Sequence, residues 1–180
     1  MPVKKEPLSG WGNYPVSESY ILSPRYVADL KHYLPKDGLI ARGLGRSYGD
    51  QALNNEHYVI DCTAYNNFLA FDEQEGILEC QAGASLEEII SAFGPKGFLP
   101  MICPGTKFVT IGGAIANDIH GKAHHIDGSF VNCVLSFTIL LADGSILTAS
   151  REENSDLFWA NFGGLGLLGV ILTARIKLRK

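Results

Sequence analysis

Three short glycine-bearing segments carry the residues best suited to chemistry. The first is Gly43-Leu44-Gly45-Arg46-Ser47-Tyr48-Gly49-Asp50. Two glycines two apart, then arginine and serine, can form a nest of main-chain N–H donors aimed at an anion. Arg42 and Arg46 add positive charge and Ser47 a hydroxyl. An ordinary surface turn draws on the same residue types. Phosphate-loop spacing is missing, because no Gly-Lys-Ser/Thr follows.

The second segment runs from Pro104-Gly105-Thr106 to Thr110-Ile111-Gly112-Gly113-Ala114-Ile115-Ala116-Asn117-Asp118-Ile119-His120-Gly121-Lys122. Glycine within a first helical turn costs about 1 kcal/mol relative to alanine. A phosphate or flat ring against the helix N-terminus would offset that cost, and so would tight packing on another element. His120, His124 and His125, with Asp118, raise the question of a metal. The Glu of H-E-x-x-H is absent and no cysteine is near enough to complete a zinc set, so no metal is expected.

The third segment, Gly164-x-Gly166-x-x-Gly169, matches the dinucleotide fingerprint in letters only. That fingerprint follows a strand, opens a helix and has an acidic residue about 20 positions later. Here the glycines precede a strand, and the sequence runs only eleven residues past Gly169. A tight helix-to-strand turn is the better reading.

Twelve of the 20 glycines fall in the segments 43–49, 105–128 and 163–169. Clustering of this kind points to backbone brought close to something, since a residue without Cβ lets main-chain groups approach. The rest of the composition is ordinary for a globular chain of 180 residues: 46% apolar, 19% charged. That length allows one domain, or one domain of two lobes. A net charge of −4 offers none of the basic excess of nucleic-acid binders. Cys62, Cys80, Cys103 and Cys133 form no C-x-x-C pair and read as free thiols in a reducing compartment. Met1–Tyr20 has no apolar signal core, and the longest nearly apolar stretch, Cys133–Ala142, is about half a bilayer span. A cytoplasmic protein without a transmembrane segment is expected.

The elements that must position these segments are legible in outline. Residues 1–20 lack periodicity and read as an irregular lead-in, with Trp11 anchoring it to the core. Ser23-Pro24 opens a helix carrying Tyr26, Val27, Leu30 and Leu34, which Pro35 and Gly38 stop. Leu39–Ala41 and Tyr58–Ile60 read as short strands, and Phe68–Gln81 as a hairpin turning at Asp72–Gly76. Ser85 and Glu88 form a capping box for a helix ending at Phe93. A short helix covers Thr110–Asn117. Asp143-Gly144 joins Cys133–Ala142 to Ser145–Ala149, Asn154 caps a helix reaching Phe162, and Val170–Leu178 is a closing strand. Hairpins mixed with short helices indicate an α+β fold.

Taken in order, these segments resemble the PCMH-type FAD-binding domain of the vanillyl-alcohol oxidase superfamily. The likeness is strongest to the branch of decaprenylphosphoryl-β-D-ribose 2-oxidases and related sugar and aldonolactone oxidases. It rests on Ile40–Asp50, Pro104-Gly105-Thr106, Gly112–Lys122 with His124-His125, Gly128-Ser129-Phe130, and Asp156–Ala160 with Gly163-Gly164, and it covers Trp11 to Leu178. The resemblance implies FAD extended between two α+β lobes, about 10–72 and 76–180. It implies a pyrophosphate loop of Ala41, Arg42, Gly43, Leu44, Gly45, Arg46, Ser47, Tyr48 and Gly49. Gly105, Thr110, Ile111, Gly112, Gly113, Asn117, His120 and Val170 would complete the cofactor site.

The implied reaction is oxidation of a secondary alcohol of a sugar, sugar phosphate derivative or aldonolactone by hydride transfer to flavin N5. His120 and Lys122 are the implied catalytic residues on the substrate side. FAD should be non-covalent, because relatives tethered through this loop place histidine after Gly-x-Gly, where Arg46 stands. Family members carry a C-terminal substrate domain that caps the flavin. This chain is expected to lack that domain, or to act as a non-catalytic flavin module served by a partner chain. A metal-dependent enzyme built on the histidines is the third possibility.

Overall fold

A computed structural model describes residues 3–33 and 38–180, the side chains of 31–33 excepted. Residues 4–22 form a hairpin rather than an irregular lead-in. β1 (Lys4–Ser9) pairs antiparallel with β2 (Val16–Leu22), Lys4 opposite Ile21 and Ser9 opposite Val16. The sequence hides this for two reasons. β1 is an edge strand, and edge strands favour charges and proline over apolar alternation. β2 does alternate, but two of its buried positions are Ser17 and Ser19, which carry no hydropathy signal. Their hydroxyls lie 3.2 Å apart, and Ser19 also donates to the Asn54 carbonyl at 2.9 Å.

The helix expected from Ser23 begins later, as α1 (Val27–Tyr33). Leu34 and Pro35, near its expected end, lie outside the described residues. β3 (Leu39–Arg42) and β4 (Tyr58–Asp61) complete a four-stranded sheet in the order β1-β2-β4-β3, with β4 parallel to both β2 and β3.

The second sheet is antiparallel. β5 (Phe68–Asp72) and β6 (Ile77–Gln81) form the expected hairpin, closed by Gly76 at φ +65°. The change of sheet therefore falls between Asp61 and Phe68, ahead of the 72/76 division read from the sequence. α2 (Leu86–Phe93) opens on the full capping box: Ser85 Oγ accepts from the Glu88 N–H at 3.2 Å, and Glu88 Oε2 accepts from the Ser85 N–H at 2.8 Å. A two-residue strand, β7 (Leu99–Pro100), precedes α3 (Ile111–Ala116) and the single-turn α4 (His124–Asp127).

β8 (Val134–Leu140), β9 (Ile146–Ser150), α5 (Ser155–Asn161) and β10 (Val170–Arg179) complete the chain. The sheet order is β5-β6-β10-β8-β9, with β7 on the far end of β10. Asn154 precedes α5 but does not cap it with its side chain. It adopts a left-handed conformation (φ 47°), and its amide donates instead to the Thr148 carbonyl at 2.7 Å.

The main core lies between the second sheet and α2, α3 and α5, around Leu78, Ile89, Ile115, Phe137 and Phe158. A smaller cluster joins the sheets: Leu22, Leu30 and Ile60 meet Leu140, Val170 and Leu172. Among the described residues no helix is long and apolar enough to cross a membrane. Leu172 is buried where the two sheets meet, so Leu172→Ala should leave a cavity that neither sheet can close alone. We expect a loss of about 2–5 kcal/mol in urea unfolding, with the midpoint lowered and the slope unchanged.

Candidate functional site

A cleft of about 490 Å³ opens where the end of β3, α3 and the start of β10 converge. Its walls include Ala41, Arg42, Gly43, Leu44, Gly45, Arg46, Ser47 and Tyr48 from the loop after β3. Gly105, Thr110, Gly112, Gly113, Asn117 and His120 line it from the second segment. The fold thus brings together two stretches about 60 positions apart.

Four expected residues stand elsewhere. Gly49 lies beside the Gln51 side chain, Ile111 is fully buried in the main core, and Val170 is packed between the sheets. Lys122 is exposed and is not part of the lining. Conversely, Gln51, Cys62, Ala82, Leu165, Gly166, Gly169 and Ile171 line the cleft although the sequence reading did not place them in the cofactor site. For the 163–169 turn a signal existed, since its glycine clustering matched that of the other two segments. Cys62 and Ala82 carried none.

The two glycine segments touch. A β-carbon on Gly43 would overlap the Thr110 side chain, and one on Gly112 would stand 3.2 Å from Ala82 Cβ. Gly112 is thus tightly packed on Ala82 as well as facing the cleft. The first-turn N–H groups of α3 are also taken. Ile111 donates to Ala84 O and Gly112 to Ala82 O, each at 2.8 Å, and Gly113 donates to Thr110 Oγ1 at 3.2 Å. Of the alternatives the sequence leaves open for this turn, a phosphate would find no free N–H there. By contrast, the main-chain N–H groups of 43–49 donate to no protein acceptor among the described residues. The free donors beside the cleft are therefore those of the loop, not those of the helix turn.

The two arginines have different tasks. Arg42 donates through Nη2 to Ser9 O at 2.6 Å and through Nη1 to Ala52 O at 3.3 Å, so it staples the loop to its surroundings. Burial lowers its pKa, nearby Asp61 raises it, and Arg46 lowers it further; a guanidinium remains a cation throughout the physiological range. Arg46 donates through Nη1 to Leu44 O at 2.5 Å, while its Nε is buried without a partner. Gln51 Oε1 is likewise buried and unpartnered. A buried polar atom left unsatisfied costs about 1–3 kcal/mol. One orphan donor and one orphan acceptor in the same cleft fit a ligand that offers both anionic oxygens and hydroxyl or imide donors.

His120 is exposed at the cleft, its backbone bridged to Ser129, and its ring lies 6.0 Å from that of His124. Asp118 is occupied, its carboxylate accepting from the Val131 N–H at 3.0 Å. Among the described residues no three His, Cys, Asp or Glu side chains group as metal ligands.

The family model described as the FAD binding domain matches residues 25–150. The chain belongs to this family. FAD is its cofactor, and the two-sheet α+β arrangement is that of the PCMH-type domain. The chain is 42% identical to decaprenylphosphoryl-β-D-ribose oxidase of Mycolicibacterium smegmatis, over 98% of its own length and 40% of the relative's. It is 33% identical to xylooligosaccharide oxidase of Thermothelomyces thermophilus over 79% of the chain and 28% of the relative. Likeness to carbohydrate oxidase of Microdochium nivale is 29%, over 73% and 27%. The chain thus spans two fifths or less of these relatives.

Gly45 sits at φ +66°, where a β-carbon would also meet the Arg42 guanidinium. In Gly45→Val we expect FAD affinity to fall roughly tenfold, from about 1–2 kcal/mol of left-handed strain, with far-UV circular dichroism nearly unchanged. Flavin fluorescence titration measures this. The thiols give a second expectation. Burial, the largest influence, pushes Cys62, Cys80 and Cys133 up to about 12, so their thiolates form only toward that pH. Partial burial raises Cys103 as well, but it is the exposed thiol, so at pH 8 a disulfide reagent should label it first, half-buried Cys62 more slowly, and buried Cys80 and Cys133 only after denaturation.

Proposed function

We propose that this chain is the FAD-binding portion of an FAD-linked oxidoreductase that oxidises a secondary alcohol of a sugar, sugar phosphate derivative or aldonolactone. The supporting observation is the cleft itself, where a loop of unpartnered N–H groups and the orphaned Arg46 Nε share one cavity with the exposed His120. The names of the relatives, a ribose oxidase and two carbohydrate-directed oxidases, support the substrate class.

FAD, when bound, supplies the redox chemistry by accepting a hydride at flavin N5. The protein's part is to bind and orient. The N–H groups of Gly43 to Tyr48 and Arg46 Nε would hold the diphosphate in a cleft where fixed donors need no reorganisation. Gln51 Oε1 accepts from a hydroxyl or imide of the same ligand. His120 stands on the substrate side, where its ring hydrogen-bonds and orients the alcohol. A covering domain or partner chain supplies the base that takes the alcohol proton as the C–H bond breaks. Lys122, outside the lining, meets an anionic substrate group on its way in. The relatives' additional length supports a C-terminal domain or partner chain that covers the site and supplies further substrate contacts.

Binding is non-covalent in this reading, because Arg46 follows Gly-x-Gly and a guanidinium is a poor nucleophile at physiological pH. Protein saturated with FAD should release all its yellow colour when precipitated with acid; a flavin-fluorescent band on a denaturing gel refutes the tether-free assignment. With the covering domain or partner present and oxygen excluded, one of a panel of sugar alcohols and aldonolactones should bleach the flavin absorbance. His120→Ala should slow that bleaching by about 10²-fold through lost orientation while weakening FAD by no more than about tenfold. Bleaching by none of the panel sinks the substrate class.

A further inference from the structure

The turn between β1 and β2 precedes the segment matched by the family model, which begins at residue 25, yet it is tied closely to the loop after β3. The Trp11 N–H donates to Ser47 O at 2.8 Å, and Arg42 Nη2 donates to Ser9 O at 2.6 Å. Gly10 is buried, and a β-carbon there would stand 2.6 Å from both the Ser47 and Gly49 carbonyl oxygens. The Arg46 guanidinium lies over the Trp11 indole, 5.2 Å from the ring centroid. Trp11 is 59% exposed. It is therefore not the core anchor expected from the sequence, and core burial does not account for it.

We propose that Trp11 is a positioning residue: its indole face holds the Arg46 guanidinium so that Nε is presented to the diphosphate of FAD. The inference rests on the FAD reading above. A flexible arginine loses rotamer freedom when it binds a ligand. A cation held over an indole face loses part of that freedom beforehand, because the ring's negative face attracts it. Leu44 O takes Nη1, a second tether on the guanidinium, and Nε has no protein partner. Trp11 thus acts through Arg46 and on phosphate alone.

That last property separates positioning from general support. FAD and ADP carry the diphosphate, whereas riboflavin carries no phosphate. In this chain, Trp11→Ala should weaken FAD and ADP by roughly three- to tenfold each and leave riboflavin, read by competition, unchanged. Trp11→Phe, which keeps a ring face, should restore most of the loss. In an Arg46→Gln background Trp11→Ala should add little, because both changes remove one coupled unit. A folding-independent readout is also open: Trp11 and Trp159 are the two tryptophans, so with Trp159→Phe the remaining emission should shift when ADP binds. Equal weakening of riboflavin, additive losses, or unchanged FAD and ADP affinity in Trp11→Ala overturns the positioning role alone. Failure of the wild-type chain to bind either FAD or ADP overturns the FAD reading and this inference with it.

Discussion

Gly43 and Thr110 come from different halves of the chain, yet a β-carbon on the glycine would occupy the space of the threonine side chain. The same Thr110 hydroxyl accepts the Gly113 N–H and so caps α3. One side chain therefore sets both where the helix begins and how near the loop after β3 can come. The apolar cluster of Leu22, Ile60, Leu140 and Leu172 holds the sheets at the separation this approach requires. Without that separation the cleft would have one wall. Hydrophobic burial sets the spacing but has no direction; direction comes from backbone contacts where no side chain fits.

The electrostatics of the site run against the charge of the whole molecule. The chain is acidic by four charges, yet two arginines meet beside the cleft. Arg42 spends its donors on the carbonyls of Ser9 and Ala52, while Arg46 keeps one buried donor unpaired. The difference lies in reach: Arg42 is bound on both sides within the protein, and Arg46 is held by a ring face and one carbonyl. Unpartnered N–H groups in the intervening loop add further positive potential. An anion enters a site where donors are already in place and has little reorganisation to drive.

Local chemistry was legible wherever a residue's role is set within a few positions. The Ser85–Glu88 capping box and the Asp143-Gly144 hairpin both depend on neighbours in sequence, and both stand as expected; the short helix expected over Thr110–Asn117 stands too, with Thr110 as its N-cap. Asn154 shows the limit. Its position at the start of α5 follows from sequence, but its side chain turns to Thr148, a residue that only the β9-to-α5 connection brings close. The β1–β2 hairpin was illegible because its signal is carried by buried serines and by the exposed edge, where hydropathy alternation has no physical cause to appear.

The site divides along the same line. Glycine clustering and the spacing of 43–50 determined by themselves that backbone donors would be available, since an absent Cβ and the following Arg and Ser are properties of the chain. What each glycine serves was decided by tertiary structure. Gly112 makes room for Ala82, Gly10 for the carbonyls of Ser47 and Gly49, and the 163–169 turn, read as a mere connection, lines the cleft. Sequence shows that a Cβ is missing. Whether a ligand or another part of the protein fills the space depends on which distant segment folds against it.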